Sequence, residues 1–210
     1  FLPDLWLQLP PGWSSHLAFV FFGGGSDHGM ALSGNGANIW ANLDFPPGTT
    51  ARVPLWLGLR AWSAGLLFFG LASLVAIALW ALALRRGREL LAESLLLAGL
   101  INLAMVTLLT GVHERYFVHG APLLLLGLEA RGWGFFSGGL QGRLGRLAWI
   151  VAGWSGLFVL SSIHYERFVG ALRIFRKPTW LGWLELALLL SLLLALVWEW
   201  RRPPPKEASE

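Results

Sequence analysis

Of the chain's 210 residues, 55% are hydrophobic and only 13% are charged, and the mean hydropathy is +0.59. A soluble domain is roughly a quarter charged, so this composition excludes an ordinary water-soluble globule, and the lack of cysteine excludes disulfides, thiolate metal sites and cysteine nucleophiles. The formal net charge of +4 does not point to nucleic acid: most basic residues flank apolar runs, and no Lys/Arg-rich stretch is interleaved with exposed aromatics.

The apolar residues come in long runs. They predict an all-α, polytopic integral membrane helix bundle of about five transmembrane helices, with an external N-terminal loop region. Thirteen tryptophans suit such a protein, because indole rings favour the membrane–water interface. No Met and no basic-then-apolar leader precedes Phe1, so the stretch reads as the C-terminal portion of a longer protein.

Residues 1–61 hold "GGGSDHG" and "LSGNGANIWANLDFPPG" and contain no full span. They read as an external loop with a short helix around residues 37–43. Asp27 and His28 sit in a glycine-rich loop and read as a turn rather than an acid/base pair. Asn35 and Asn38 are three apart, so a helix would set both carboxamides on one face, with Trp40 available to stack on a sugar ring. A turn followed by an N-capped helix explains the same residues.

Residues 62–84 form the first predicted span, ended by "RRGRE" at 85–89. The second covers 90–109, with Glu93 near its start and Asn102 in its middle; these two, with Glu185 further on, are expected to face other helices. The third covers 113–130 around the apolar run 117–128, which carries Pro122. A glycine-rich basic stretch follows, then a fourth span at 147–163 and a fifth at 180–198. The polar tail 201–210 is predicted to be disordered and cytoplasmic. Placing Arg85, Arg86 and Arg88 inside puts Arg131, Arg143, Arg146, Arg201, Arg202 and Lys206 inside as well, by strict alternation. The "TGVHERY" turn then falls outside. The basic stretch 164–178 dissents from this topology. It reads either as an interfacial amphipathic helix, with Phe168, Leu172 and Phe175 at helical spacing, or as simple snorkelling.

The third run is short. Its 12 or so apolar residues cover roughly 18 Å as helix, against a hydrocarbon core of roughly 30 Å. His113, Glu114, Arg115 and Tyr116 therefore sit at or below the membrane surface, a depth where ionisable groups are costly unless paired or used. A helix start supplies free N–H groups and a positive dipole end. Arg115 adds a planar fork for phosphate oxygens and His113 a further donor, with Glu114 to orient them and Tyr116 to stack or donate. His119 lies one turn further on. A cap-and-snorkel arrangement, with Thr110 as cap, accounts for the same residues. No metal-ligand pattern, phosphate loop or G-x-S-x-G elbow is present.

The turn "T-x-x-H-E-R-Y" followed by an apolar "F-x-x-x-x-P-L-L-L-L" run resembles the later transmembrane half of GT-C glycosyltransferases, which use polyprenyl-phosphate sugars. Bacterial members carry a "HERY" turn, and the related eukaryotic glucosyltransferases of lipid-linked oligosaccharide assembly a "HEK" one. "LSGNGANIWANL" is similar to the family's upstream "N-x-x-N-L-W" stretch, with Ile39 in place of the usual leucine. The likeness covers residues 33–128.

This resemblance implies inverting sugar transfer on the external face of the inner (plasma) membrane. The donor is a polyprenyl-phosphate sugar, and the acceptor a glycan, lipid or protein. His113 and Arg115 would contact the donor phosphate, supported by Glu114, Tyr116, Asn35, Asn38 and Trp40. The family's catalytic aspartate lies in a first external loop that has no counterpart here, so the resemblance assigns it to an N-terminal remainder of the same protein. No cofactor is implied; a divalent metal is compatible with the chemistry but nothing indicates one. A non-catalytic membrane subunit binding lipid phosphate through the same groups is the competing reading, and a transporter is a third.

Overall fold

The computed structural model describes residues 39–43, 52–55, 58–109, 115–163 and 179–201. Among them are five α-helices and no strand beyond an isolated bridge between Pro54 and Arg60. The helices are α1 (Ala61–Arg85), α2 (Leu90–Leu108), α3 (Arg115–Ala130), α4 (Gly139–Ile163) and α5 (Thr179–Arg201), preceded by a single 3-10 turn, Ile39–Asn42. Three are long and apolar enough to cross a membrane: α1, α2 and the Trp180–Arg201 part of α5. The apolar part of α3, Phe117–Ala130, is shorter. The tail after Arg201 and the basic stretch 164–178 lie outside the described residues, as do Asp27 and His28.

Successive helices run antiparallel. One end of the bundle holds the starts of α1, α3 and α5 with the end of α2; the other holds the ends of α1, α3 and α5 with the start of α2. Two of these chain reversals are closed by glycine. Arg86 caps α1 and Gly87 follows at φ +75°, so Gly87 N–H reaches the Leu84 carbonyl at 3.0 Å and Arg88 N–H the Ala83 carbonyl at 3.1 Å. α3 ends the same way. Gly132, at φ +79°, donates to Glu129 O at 2.9 Å, and Trp133 donates to Leu128 O at 2.7 Å. Both are Schellman closures, which need a left-handed residue and satisfy carbonyls that the helix leaves open.

The centre of the bundle is the α2–α3 pair. In lipid there is little hydrophobic drive to bring helices together, so close backbone approach and dispersion must do it. The chain supplies the approach with glycine. Gly99 of α2 lies against the backbone of Leu124, Gly127 of α3 against that of Leu96, and Gly120 against the side chain of Asn102. Around this contact Leu103, Phe117, Leu124 and Leu128 are buried, and Leu188 and Leu192 of α5 complete the core. α1 is the peripheral member. Only 11% of its apolar window is buried, against 50% for α2 and for α5. Its buried residues are all small, Ala61, Ala64, Gly65, Ala76 and Ala83, with Phe69 and Leu79 packing half-buried against the core.

Glu93 and Glu185 are buried against neighbouring helices, as their position in apolar runs predicts. Ser155 Oγ of α4 donates to Glu185 Oε1 at 3.3 Å. The largest departure from the sequence reading is α4, which begins at Gly139 rather than 147. Its first two turns, "GLQGRLGR", are helical because they pack on the preceding turn. A β-carbon on Gly145 would lie 2.2 Å from the Trp133 carbonyl oxygen, and Arg146 Nη1 donates to Phe135 O at 3.1 Å. Of the short helix expected around 37–43, Ile39–Asn42 form a 3-10 turn, and residues 37 and 38 lie outside the described residues.

Candidate functional site

α2 runs as regular helix to Leu108, and Leu109 then turns to extended backbone. The last carbonyls of a helix have no partner within it. Here the Leu108 carbonyl accepts a hydrogen bond from the Trp40 indole N–H at 2.6 Å, at a buried position. Trp40 is 3% exposed and packs against Ala61 and Ala64 at the start of α1, with Ile39, Val53 and Leu55 around it. The 3-10 turn is thereby fixed at the end of the bundle where α2 stops and α3 begins.

Trp40→Phe keeps a ring in this position but leaves the buried carbonyl without a donor. It is expected to cost about 1–3 kcal/mol, read as a lowered midpoint of thermal unfolding in detergent. An unchanged midpoint would show that the indole bond does not hold the turn.

α3 begins at Arg115, so its first N–H groups and the positive end of its dipole coincide with the "HERY" turn. Arg115 and Tyr116 are the first two residues of this helix. His113 and Glu114 lie outside the described residues, as do Thr110, Asn35 and Asn38. Phe117 points into the core and is fully buried, whereas Val118, His119 and Pro122 lie on the exposed side of α3. Of the residues singled out in sequence, the structure therefore sets Trp40, the Leu108 end of α2 and the Arg115 start of α3 at one end. His119 stands on an open face of α3 just beyond.

The other end carries charge that sequence alone did not pair. Arg131 caps α3, and its guanidinium bridges two carboxylates: Nη1 contacts Glu93 of α2, and Nη2 lies 2.9 Å from Glu199 of α5. Arg88 also pairs with Glu199. The Arg131 and Glu93 side chains are only 6% and 5% exposed, so this is a buried ion pair linking three helices. Arg131 also lies over the Trp133 ring at 5.3 Å, and its Nε has no hydrogen-bond partner. Arg86 donates to the Trp200 carbonyl at 2.6 Å and sits over that indole. Among the described residues no three His, Cys, Asp or Glu side chains gather as metal ligands would.

The two ends differ in what they offer. The Trp40 end combines the end of α2 with the start of α3, and the Arg131 end is a basic, ion-paired network. Compared with known proteins, the chain matches no family model, no curated protein and no solved structure.

Proposed function

We infer that this chain is the C-terminal membrane portion of an inverting glycosyltransferase that moves a sugar from a polyprenyl-phosphate donor to an acceptor on the external face of the inner membrane. In this reading all five helices cross the bilayer, with the Arg131 end inside and the Trp40 end outside. The observation that carries it is the Trp40–Leu108 hydrogen bond. It brings Trp40, the tryptophan of the upstream motif, to the last turn of α2, which in sequence immediately precedes the "HERY" turn. These are two motifs that the family resemblance requires in one cavity and that sequence separates by two helices.

The chemistry follows from the groups available. A carboxylate takes the acceptor hydroxyl's proton while that oxygen attacks the anomeric carbon, and the bond from that carbon to the phosphate oxygen breaks. The leaving polyprenyl phosphate gains negative charge as it departs. Donors already aimed at those oxygens stabilise the transition state more than the ground state. His113, Arg115 and the first N–H groups of α3 fill this role, with Glu114 orienting the two side chains and Tyr116 stacking or donating beside them. Asn35 and Asn38 shape the sugar side, whereas Trp40, buried with its indole N–H engaged by the Leu108 carbonyl, supports that side from behind rather than stacking on the sugar ring. The proton-accepting carboxylate is assigned to another part of the enzyme.

His113→Ala or Arg115→Ala in the full-length protein is expected to lower sugar transfer from a polyprenyl-phosphate donor about 100-fold, the range for removal of one preorganised donor. The check is turnover with radiolabelled donor, alongside donor binding. Unchanged turnover and unchanged binding in both variants would rule out the phosphate role.

A further inference from the structure

A cleft of about 780 Å³ opens at the Arg131 end, between α1 on one side and α2 and α5 on the other. It exists because α1 presents alanine there. Ala76 and Ala83 are the only buried residues in the second half of that helix, and they leave volume that leucine would fill. The walls are apolar and come from three helices: Ala76 and Leu79, Leu97 and Leu100, and Leu196. The mouth is basic. Arg85, Arg86, Arg88 and Arg131 line it against the carboxylates of Glu93 and Glu199, a surplus of two positive charges. Arg85 makes no salt bridge among the described residues. Arg131, nine-tenths buried, lines the cleft with its Nε unpartnered. Trp80 and Trp200 flank the mouth, as indoles do at headgroup depth.

We propose that this cleft binds one anionic phospholipid, its phosphate among Arg85, Arg86 and Arg88 and one acyl chain along the walls formed by Ala76, Leu79, Leu97 and Leu100. The volume lies within the roughly 300–1,000 Å³ typical of small-molecule sites. The apolar walls select a lipid over a free anion, because a soluble phosphate would meet the rim arginines alone. The charge surplus selects an anionic headgroup over a zwitterionic one. The site is separate from the donor site proposed above: the 16 residues of α3 set the two about 24 Å apart at 1.5 Å per residue. It stands whether or not the glycosyltransferase reading holds.

The test is native mass spectrometry of the full-length protein in detergent, titrated with dioleoylphosphatidylglycerol, with dioleoylphosphatidylcholine, or with glycerol 3-phosphate as competitor. A one-to-one phosphatidylglycerol adduct is expected at about tenfold lower concentration than the phosphatidylcholine adduct. The double variant Arg85→Gln/Arg86→Gln is expected to weaken phosphatidylglycerol about tenfold or more, the scale of losing one charged hydrogen bond, and to weaken phosphatidylcholine less, so that the preference between the two lipids narrows. Ala76→Phe, which fills the cleft, is expected to weaken both lipids; if that variant does not fold, the arginine variant decides alone. Glycerol 3-phosphate in excess is expected not to displace the lipid. Equal affinity for the two lipids, or full phosphatidylglycerol binding in the arginine variant, would overturn the proposal. Displacement by glycerol 3-phosphate would reduce the site to an anion site and overturn it as well.

Discussion

Gly127→Ala is expected to force α2 and α3 apart. A β-carbon at this position would lie 2.4 Å from the Leu96 backbone nitrogen and 2.6 Å from its Cα. Neither atom can rotate away, so the relief must be a shift of a whole helix. Overpacking costs typically about 1–3 kcal/mol and occasionally more, and a backbone clash at the centre of the bundle belongs at the upper end. Gly99→Ala should behave alike, since its β-carbon would lie 2.4 Å from the Leu124 Cα. The matched control is Gly70→Ala in α1, where nothing lies within 4 Å. Alanine is favoured over glycine within a helix by about 0.5–1 kcal/mol, so this variant should be neutral or slightly stabilised. Thermal unfolding in one detergent, with size-exclusion profiles, compares all three. Equal midpoints for Gly127→Ala and Gly70→Ala would show that the α2–α3 contact is looser than described.

The second large effect is expected at the buried ion pair. Arg131→Met leaves Glu93 charged or forces it to take a proton, at a site with almost no solvent. Breaking a buried pair from one side costs about 3–5 kcal/mol, whereas replacing both partners with apolar residues is often neutral or better. Arg131→Met should therefore be strongly destabilising and Arg131→Met/Glu93→Leu should recover most of the loss. Glu199 keeps Arg88 as a partner in both variants. A double variant no more stable than the single one would mean that Arg131 acts mainly through Trp133 and Glu199, not through Glu93.

Much of the helical layout was legible because α1, α2 and α5 are continuous apolar runs between arginines and glycines, and the structure moves their ends by three residues at most. The start of α4 was not legible. Residues 139–146 carry three glycines and two arginines, a composition that reads as loop; they are helical because the preceding turn packs against those glycines. The pairing of Arg131 with Glu93 was equally hidden. Sequence shows a glutamate in a span and an arginine after one, 38 residues apart, and only the helix register brings them together. At the candidate site the order of motifs was readable and the Trp40 contact was not. Nothing in "GANIW" says that its indole will reach a carbonyl beyond two helices.

That contact joins residues 68 apart. The chain between them runs along the bundle as α1, turns at "RRGRE" and returns as α2. The indole can meet the Leu108 carbonyl only after both helices have formed and lie side by side. A hairpin with only one of the two helices in place would leave the pair a helix length apart. The bond thus reports a finished α1–α2 hairpin: its donor and acceptor flank the pair, and it closes only when both helices are in register.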